Sequence, residues 1–116
     1  MNFQEYKRFY FALDLKDDPA LITEYERWHK KENSWPEVIQ SIKDAGIANM
    51  EIYRTGNRLI MVIETTENYD HERKAKLDAA NPRVQKWEEL MWTFQQALPW
   101  ATNGEKWVEM NRIFQL

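Results

Sequence analysis

The chain contains no cysteine, which removes disulfides, thiolate nucleophiles, zinc–thiolate sites and iron–sulfur clusters together. Glycine is nearly as scarce. Three glycines in 116 residues are too few for a phosphate-cradling loop, which argues against the usual nucleotide cofactors. Positive charge is not in excess: 16 Lys and Arg face 19 Asp and Glu, a net charge of -3 that leaves no electrostatic footprint for nucleic acid. Apolar runs are short, none near the roughly 18 residues that a membrane-spanning helix needs. The stretch Met1 to Tyr10 carries Glu5, Lys7 and Arg8 among aromatics and lacks the apolar centre of a secretory signal. The expectation is a cytoplasmic protein with neither nucleic acid nor membrane among its partners.

What is abundant is the aromatic side chain, with six Trp, five Tyr and five Phe. The length suits one domain over residues 1–116, large enough to build a core without a metal or disulfide staple. Residues 8–15 alternate, with Phe9, Phe11, Leu13 and Leu15 on one face, the period of a half-buried strand. Asp17, Asp18 and Pro19 then open a helix carrying Leu21, Ile22, Tyr25 and His29, which should break near Asn33. Ser34 and Glu37 form a capping-box pattern around Pro36 and start a second helix with Val38, Ile39 and Ile42, ended by Gly46. Residues 47–54 alternate again, with Ala48, Met50 and Ile52 opposite Asn49, Glu51 and Tyr53. Thr55–Gly56–Asn57 is a turn, and Leu59–Ile63 is an apolar run of central-strand type. A short polar helix fits 67–80. A stronger helix opens at Asn81–Pro82, carries Val84, Trp87, Met91 and Phe94, and ends by Pro99. Residues 106–116 read as a last strand. The order is that of a ferredoxin-like (βαββαβ) antiparallel sheet, an α+β fold. Such a sheet leaves one face uncovered, here bearing Tyr10, so a homodimer of the dimeric α+β barrel type is expected.

Few side chains can carry chemistry. His29 lies four residues after Tyr25 on one helical face, near Trp35, and titrates close enough to neutrality for general acid–base work. The competing role is a helix cap packed on Trp28. His71 sits in a polar stretch and reads as a solvated surface residue. Six Trp are many for one small core, and aromatic planes stack on the C–H faces of sugars, so an aromatic pocket with a histidine suits a neutral polyol. It suits an aromatic metabolite as well. No two histidines stand at metal-ligand spacing, and the carboxylates are scattered, so no metal is expected. Glu88 and Glu89 diverge by about 100° on a helix, so at most one can face a given site.

The runs Tyr25–Glu26–Arg27–Trp28–His29 and Trp35–Pro36–Glu37 resemble the signature of the L-rhamnose mutarotase family. Gly46–Ile47–Ala48–Asn49, Val84–Gln85–Lys86–Trp87 and Arg112–Ile113–Phe114 match it too, so the resemblance covers nearly the whole chain. It implies a small dimeric α+β isomerase that interconverts the α and β anomers of a 6-deoxy monosaccharide without cofactor. His29 would be the general acid/base, and Tyr25, Trp35 and Trp87 would line the sugar site. Two positions depart from the family pattern: Met50 stands where a Tyr is usual and Glu88 where a second Trp is usual. Both residues are therefore candidate substrate-binding positions, and they point away from L-rhamnose. The segments Trp87–Trp92, Leu98–Trp100 and Gly104–Trp107 are similar to the L-fucose mutarotase branch, which makes L-fucose the expected substrate and L-rhamnose the alternative. A partner for His29 in proton transfer could be Tyr25 or Glu88. An oxygenase- or decarboxylase-like α+β barrel acting on an aromatic compound, and a non-catalytic binding protein, stand as rivals.

Overall fold

Alternation in the first strand is realised over β1, Lys7–Leu15, which pairs antiparallel with β3, Arg58–Thr65, from Lys7↔Thr65 to Asp14↔Arg58. The computed structural model describes residues 6–116; Met1 to Glu5, part of the stretch weighed above as a secretory signal, lie outside it. β2, Ile47–Thr55, pairs the other side of β3. Gln95–Gln96 forms the short strand β4, and Val108–Glu109 forms β5; both pair with β1. The order β2-β3-β1-β4 is that of the ferredoxin-like α+β fold. The two-residue turn Gly56–Asn57 joins β2 to β3, with Gly56 at φ 56°, a left-handed conformation that glycine adopts without a Cβ penalty.

Four helices cover one side of this sheet. α1, Pro19–Trp28, is capped by Asp18, whose carboxylate accepts from the Ala20 and Leu21 amides at 2.9 and 3.3 Å. α2 spans Pro36–Asp44, α3 His71–Ala79 under an Asp70 cap, and α4 Pro82–Trp92 under an Asn81 cap. Gly46 follows α2 at φ 95°, and a Cβ there would lie 2.9 Å from Thr66 Oγ1, so both conformation and space require glycine. The core is Leu15, Tyr25, Leu59, Met91 and Phe94, with Ile52, Trp28, Trp87 and Trp107 packed against it.

Four expectations are corrected. The capping box at Ser34 and Glu37 does not form: Pro36 forces the preceding Trp35 into extended backbone, so Trp35 is the N-cap without a side-chain bond. The Ser34 hydroxyl donates back to the Lys31 carbonyl at 3.1 Å, and Glu37 lies 3.6 Å from Arg83. In β2 a bulge between Ile47 and Asn49 takes Ala48 out of the alternation, so Ile47 is buried and Ala48 exposed. α4 ends at Trp92, ahead of Phe94, where Thr93 bonds back to the Leu90 carbonyl at 2.6 Å and Phe94 turns into the core. The last strand is only Val108–Glu109; the Met110 amide still donates to the Tyr10 carbonyl at 2.7 Å, and beyond it residues 111–116 form no ladder and stay exposed.

Candidate active site

Two helix ends and the middle of α4 bring four aromatic rings together. α1 stops at Trp28, and its last turn leaves carbonyls without amide partners. His29 occupies the C-cap position, and its Nδ1–H donates to the Tyr25 carbonyl at 2.8 Å. The carbonyl can only accept, so the proton of the neutral imidazole sits on Nδ1 and Nε2 keeps a free lone pair. The helix-capping role and the acid–base role are thus both served, one by each nitrogen.

The His29 ring lies 4.3 Å from that of Tyr25 and 5.8 Å from that of Trp87, centroid to centroid. The residue keeps an edge open to solvent, while the protein packed around the ring lowers its pKa below 6.5; the bond to the Tyr25 carbonyl opposes that shift only in part. A neutral base at physiological pH is the consequence.

Trp87 is the centre of the aromatic wall. Trp28, 6.4 Å away, and Trp35, 5.2 Å away, both meet it edge to face. Trp35 is held from the other side by the Arg83 guanidinium, 4.0 Å above its ring. Tyr25 is 3% exposed, and its hydroxyl lies 3.5 Å from Gln95 Nε2, with burial pushing its pKa up to about 12. That hydroxyl is anchored inside the core and stays protonated.

The structure therefore brings Tyr25, His29, Trp35 and Trp87 together. Met50 lies half-buried on the helix side of the sheet, opposite Ile63. The Glu88 carboxylate is 3.4 Å from Gln85 Nε2, which also holds the Asp78 carbonyl of α3, so Glu88 is engaged on the side of α4 that faces α3. Residues not singled out from the sequence also take part. Arg83 stands four residues before Trp87, a spacing that shares a helical face and so was readable. Gln95 had no local signal. Among the described residues no group of three or more His, Asp or Glu side chains gathers as a metal site. An open groove of about 600 Å³ between α2 and α3, lined by Glu37, Gln40, Asp44 and Leu77 among others, contains neither histidine nor aromatic ring. No described helix is long and apolar enough to cross a membrane.

The sequence profile of L-rhamnose mutarotase matches residues 8–116. The chain belongs to the L-rhamnose mutarotase family. An L-fucose mutarotase of Xanthomonas campestris pv. campestris is 54% identical over 110 residues, covering 95% of this chain and 88% of that protein. The structure resembles that of an L-rhamnose mutarotase from Formosa agariphila, with a TM-score of 0.68 and 22% identity over 95% of this chain and 98% of that one. It also resembles the tetracenomycin F2 cyclase of Streptomyces glaucescens, with a TM-score of 0.63 and 14% identity over 95% and 96% of the two chains. At these identities the two structures speak for the fold alone, which they share with this chain.

Proposed function

We propose that this protein interconverts the α and β anomers of L-fucose by opening and closing the pyranose ring, with His29 as the proton carrier. The observation that carries the proposal is the free Nε2 of a neutral His29 beside the Tyr25, Trp35 and Trp87 rings. Nε2 takes the proton from the anomeric hydroxyl. The C1–O5 bond breaks as C1=O1 forms, its electron pair goes to O5, and Nε2–H protonates O5. Both oxygens are bonded to C1, so one imidazole reaches both. Rotation about C1–C2 and reclosure give the other anomer. General acid–base catalysis of this kind contributes about 10²–10⁴-fold. Tyr25 serves as a positioning residue, because its hydroxyl is committed to Gln95. L-Fucose is preferred over L-rhamnose on two grounds: the similarity to the Xanthomonas protein, and a thioether at Met50 in place of a phenol.

Saturation-transfer NMR over L-fucose, L-rhamnose, D-galactose and D-ribose tests this. The proposal expects the largest acceleration of anomer exchange for L-fucose. Exchange at the uncatalysed rate for all four sugars would overturn it.

We also propose that the working form is a homodimer. The outer sheet face presents Tyr10 and Tyr53, and Ile113 and Phe114 of the C-terminal segment are 97% and 77% exposed. Apolar surface of this extent in a small protein is covered most simply by a second copy.

A further inference from the structure

Midway along the sheet, on its helix side, Ile52, Met61 and Phe11 form one row across β2, β3 and β1. The next row contains the buried Leu13 and Leu59, and the row on the other side contains the buried Ile63. All three residues of the middle row are nevertheless only half-buried. Along β3, Met61 is left half-buried between the buried Leu59 and Ile63, and the half-buried Phe9 and Met50 on either side of Ile63 continue the opening, which makes this part of the sheet the floor of a trough. With strands about 4.8 Å apart, the floor is about 10 Å wide from Ile52 to Phe11, which a single pyranose with its hydroxyls spans. Toward the Ile52 end, Arg54 of β2 pairs with Glu26 of α1, which sets the last turn of α1 over β2; Ile52, Trp28 and Trp87 each pack against the Tyr25 core cluster, and Trp87 adjoins His29.

At the Phe11 end stands a second histidine. His71 is not a freely solvated side chain: its ring meets Phe9 at 4.6 Å, Phe11 at 5.6 Å and Tyr69 at 5.0 Å, each edge to face. Its Nδ1 is 3.0 Å from the Tyr69 hydroxyl, and its Nε2 is 3.5 Å from Glu109 Oε1 in β5. The carboxylate can only accept, so the proton of the neutral ring sits on Nε2 and Nδ1 accepts from the Tyr69 hydroxyl. His71 and Glu109 both keep substantial solvent access. The pair is thus oriented from behind by Tyr69, floored by two phenylalanines and open in front.

We propose that His71 and Glu109 form the second wall of the sugar site, holding the ring hydroxyls remote from C1 while His29 works at C1. This rests on the mutarotase reading above. Glu109 accepts from a sugar hydroxyl with the lone pairs that His71 leaves free, His71 Nε2–H holds that carboxylate in place, and Phe11 lies under the C–H face. An acceptor held in one orientation distinguishes epimers, because the wrong hydroxyl geometry leaves it and the hydroxyl without each other. The wall is a specificity device for binding, not for proton transfer.

The test is steady-state anomer exchange of L-fucose and L-rhamnose by wild type, His71→Phe, His71→Gln and Glu109→Gln. His71→Phe keeps the ring contacts with Phe9 and Phe11 but removes both nitrogens. It should raise KM for L-fucose about tenfold, leave kcat within about threefold, and level the preference between the two sugars. His71→Gln, which retains an N–H donor, should recover most of the affinity. Glu109→Gln, at a well-exposed position, should raise KM for L-fucose even if His71→Phe folds poorly. KM within twofold of wild type in Glu109→Gln and in any folded His71→Phe protein would overturn the wall and leave the mutarotase reading intact. A fall in kcat at constant KM would also overturn it. Absence of L-fucose exchange in wild type itself would instead sink the mutarotase reading and, with it, the ligand assigned to this wall.

Discussion

The Nδ1 of His29 stands 2.8 Å from the backbone carbonyl oxygen of Tyr25, four residues back in the same helix. One contact therefore ends α1, selects the imidazole tautomer and presents Nε2 to the site. The helix terminus supplies the hydrogen-bond acceptor, so no carboxylate is needed to orient the base.

Replacing the imidazole should separate catalysis from folding. His29→Asn should fold, because His29 lies outside the buried core, and should lose about 10²-fold or more of the catalysed exchange. Circular dichroism and exchange NMR on the same sample check this. A variant exchanging L-fucose at the wild-type rate would make His29 a structural cap alone.

The rate should depend on pH with a definite sign. Burial holds the His29 pKa below 6.5, and protonation occupies the Nε2 lone pair, so kcat/KM should fall as pH drops through that pKa and level off above it. Exchange rates measured from about pH 4.5 to 8, after subtraction of the buffer-catalysed rate, should be half-maximal below pH 6.5. A midpoint above 6.5 would contradict a base of lowered pKa.

Tyr25→Phe discriminates a positioning role from proton transfer. Loss of the hydroxyl leaves the buried Gln95 amide without its Tyr25 partner, at a cost of about 1–3 kcal/mol in urea unfolding. The rate constant kcat should stay within about tenfold, because the phenol of pKa about 12 is buried and anchored. A loss as large as that of His29→Asn would return Tyr25 to the acid–base chemistry.

Substrate choice should respond to Met50 more than to Glu88. Met50 is on the helix side of the sheet beside the open row, whereas the Glu88 carboxylate is engaged with Gln85. Met50→Tyr should shift the ratio of kcat/KM toward L-rhamnose by about tenfold, the scale of one buried hydrogen bond. Glu88→Trp alone should move it little. The reverse ranking would mean that α4 reads the sugar through the residue after Trp87.

Assembly can be checked at the C-terminal segment. Light scattering should report a dimer at about tens of micromolar protein. Ile113→Asp with Phe114→Asp, changing side chains that are exposed in the single chain, should weaken the dimer about tenfold or more. A wild-type monomer under these conditions would refute the dimer.

Much of this protein is legible within short stretches of chain. The Asp18 and Asn81 caps, the glycine after α2, the alternation of β1 and the spacing that unites Tyr25 with His29 all follow from interactions inside a turn or two. Backbone hydrogen bonding and side-chain period act at that range, so local residues suffice to place them. Pro36 likewise settles the backbone of Trp35 from one position away, although that same constraint moved the cap off Ser34. Other features depend on partners remote in the chain. The Tyr25 hydroxyl is held by Gln95, 70 residues later, and nothing around Gln95 marks it as buried. The bulge that turns Ala48 outward exists through pairing with β3. His71 looks like one more polar residue before a polar helix, yet β1 supplies two aromatic rings beneath it and β5 a carboxylate beside it. A polar side chain is solvated or oriented according to what the folded sheet sets next to it, and that neighbourhood comes into being when distant strands find their register.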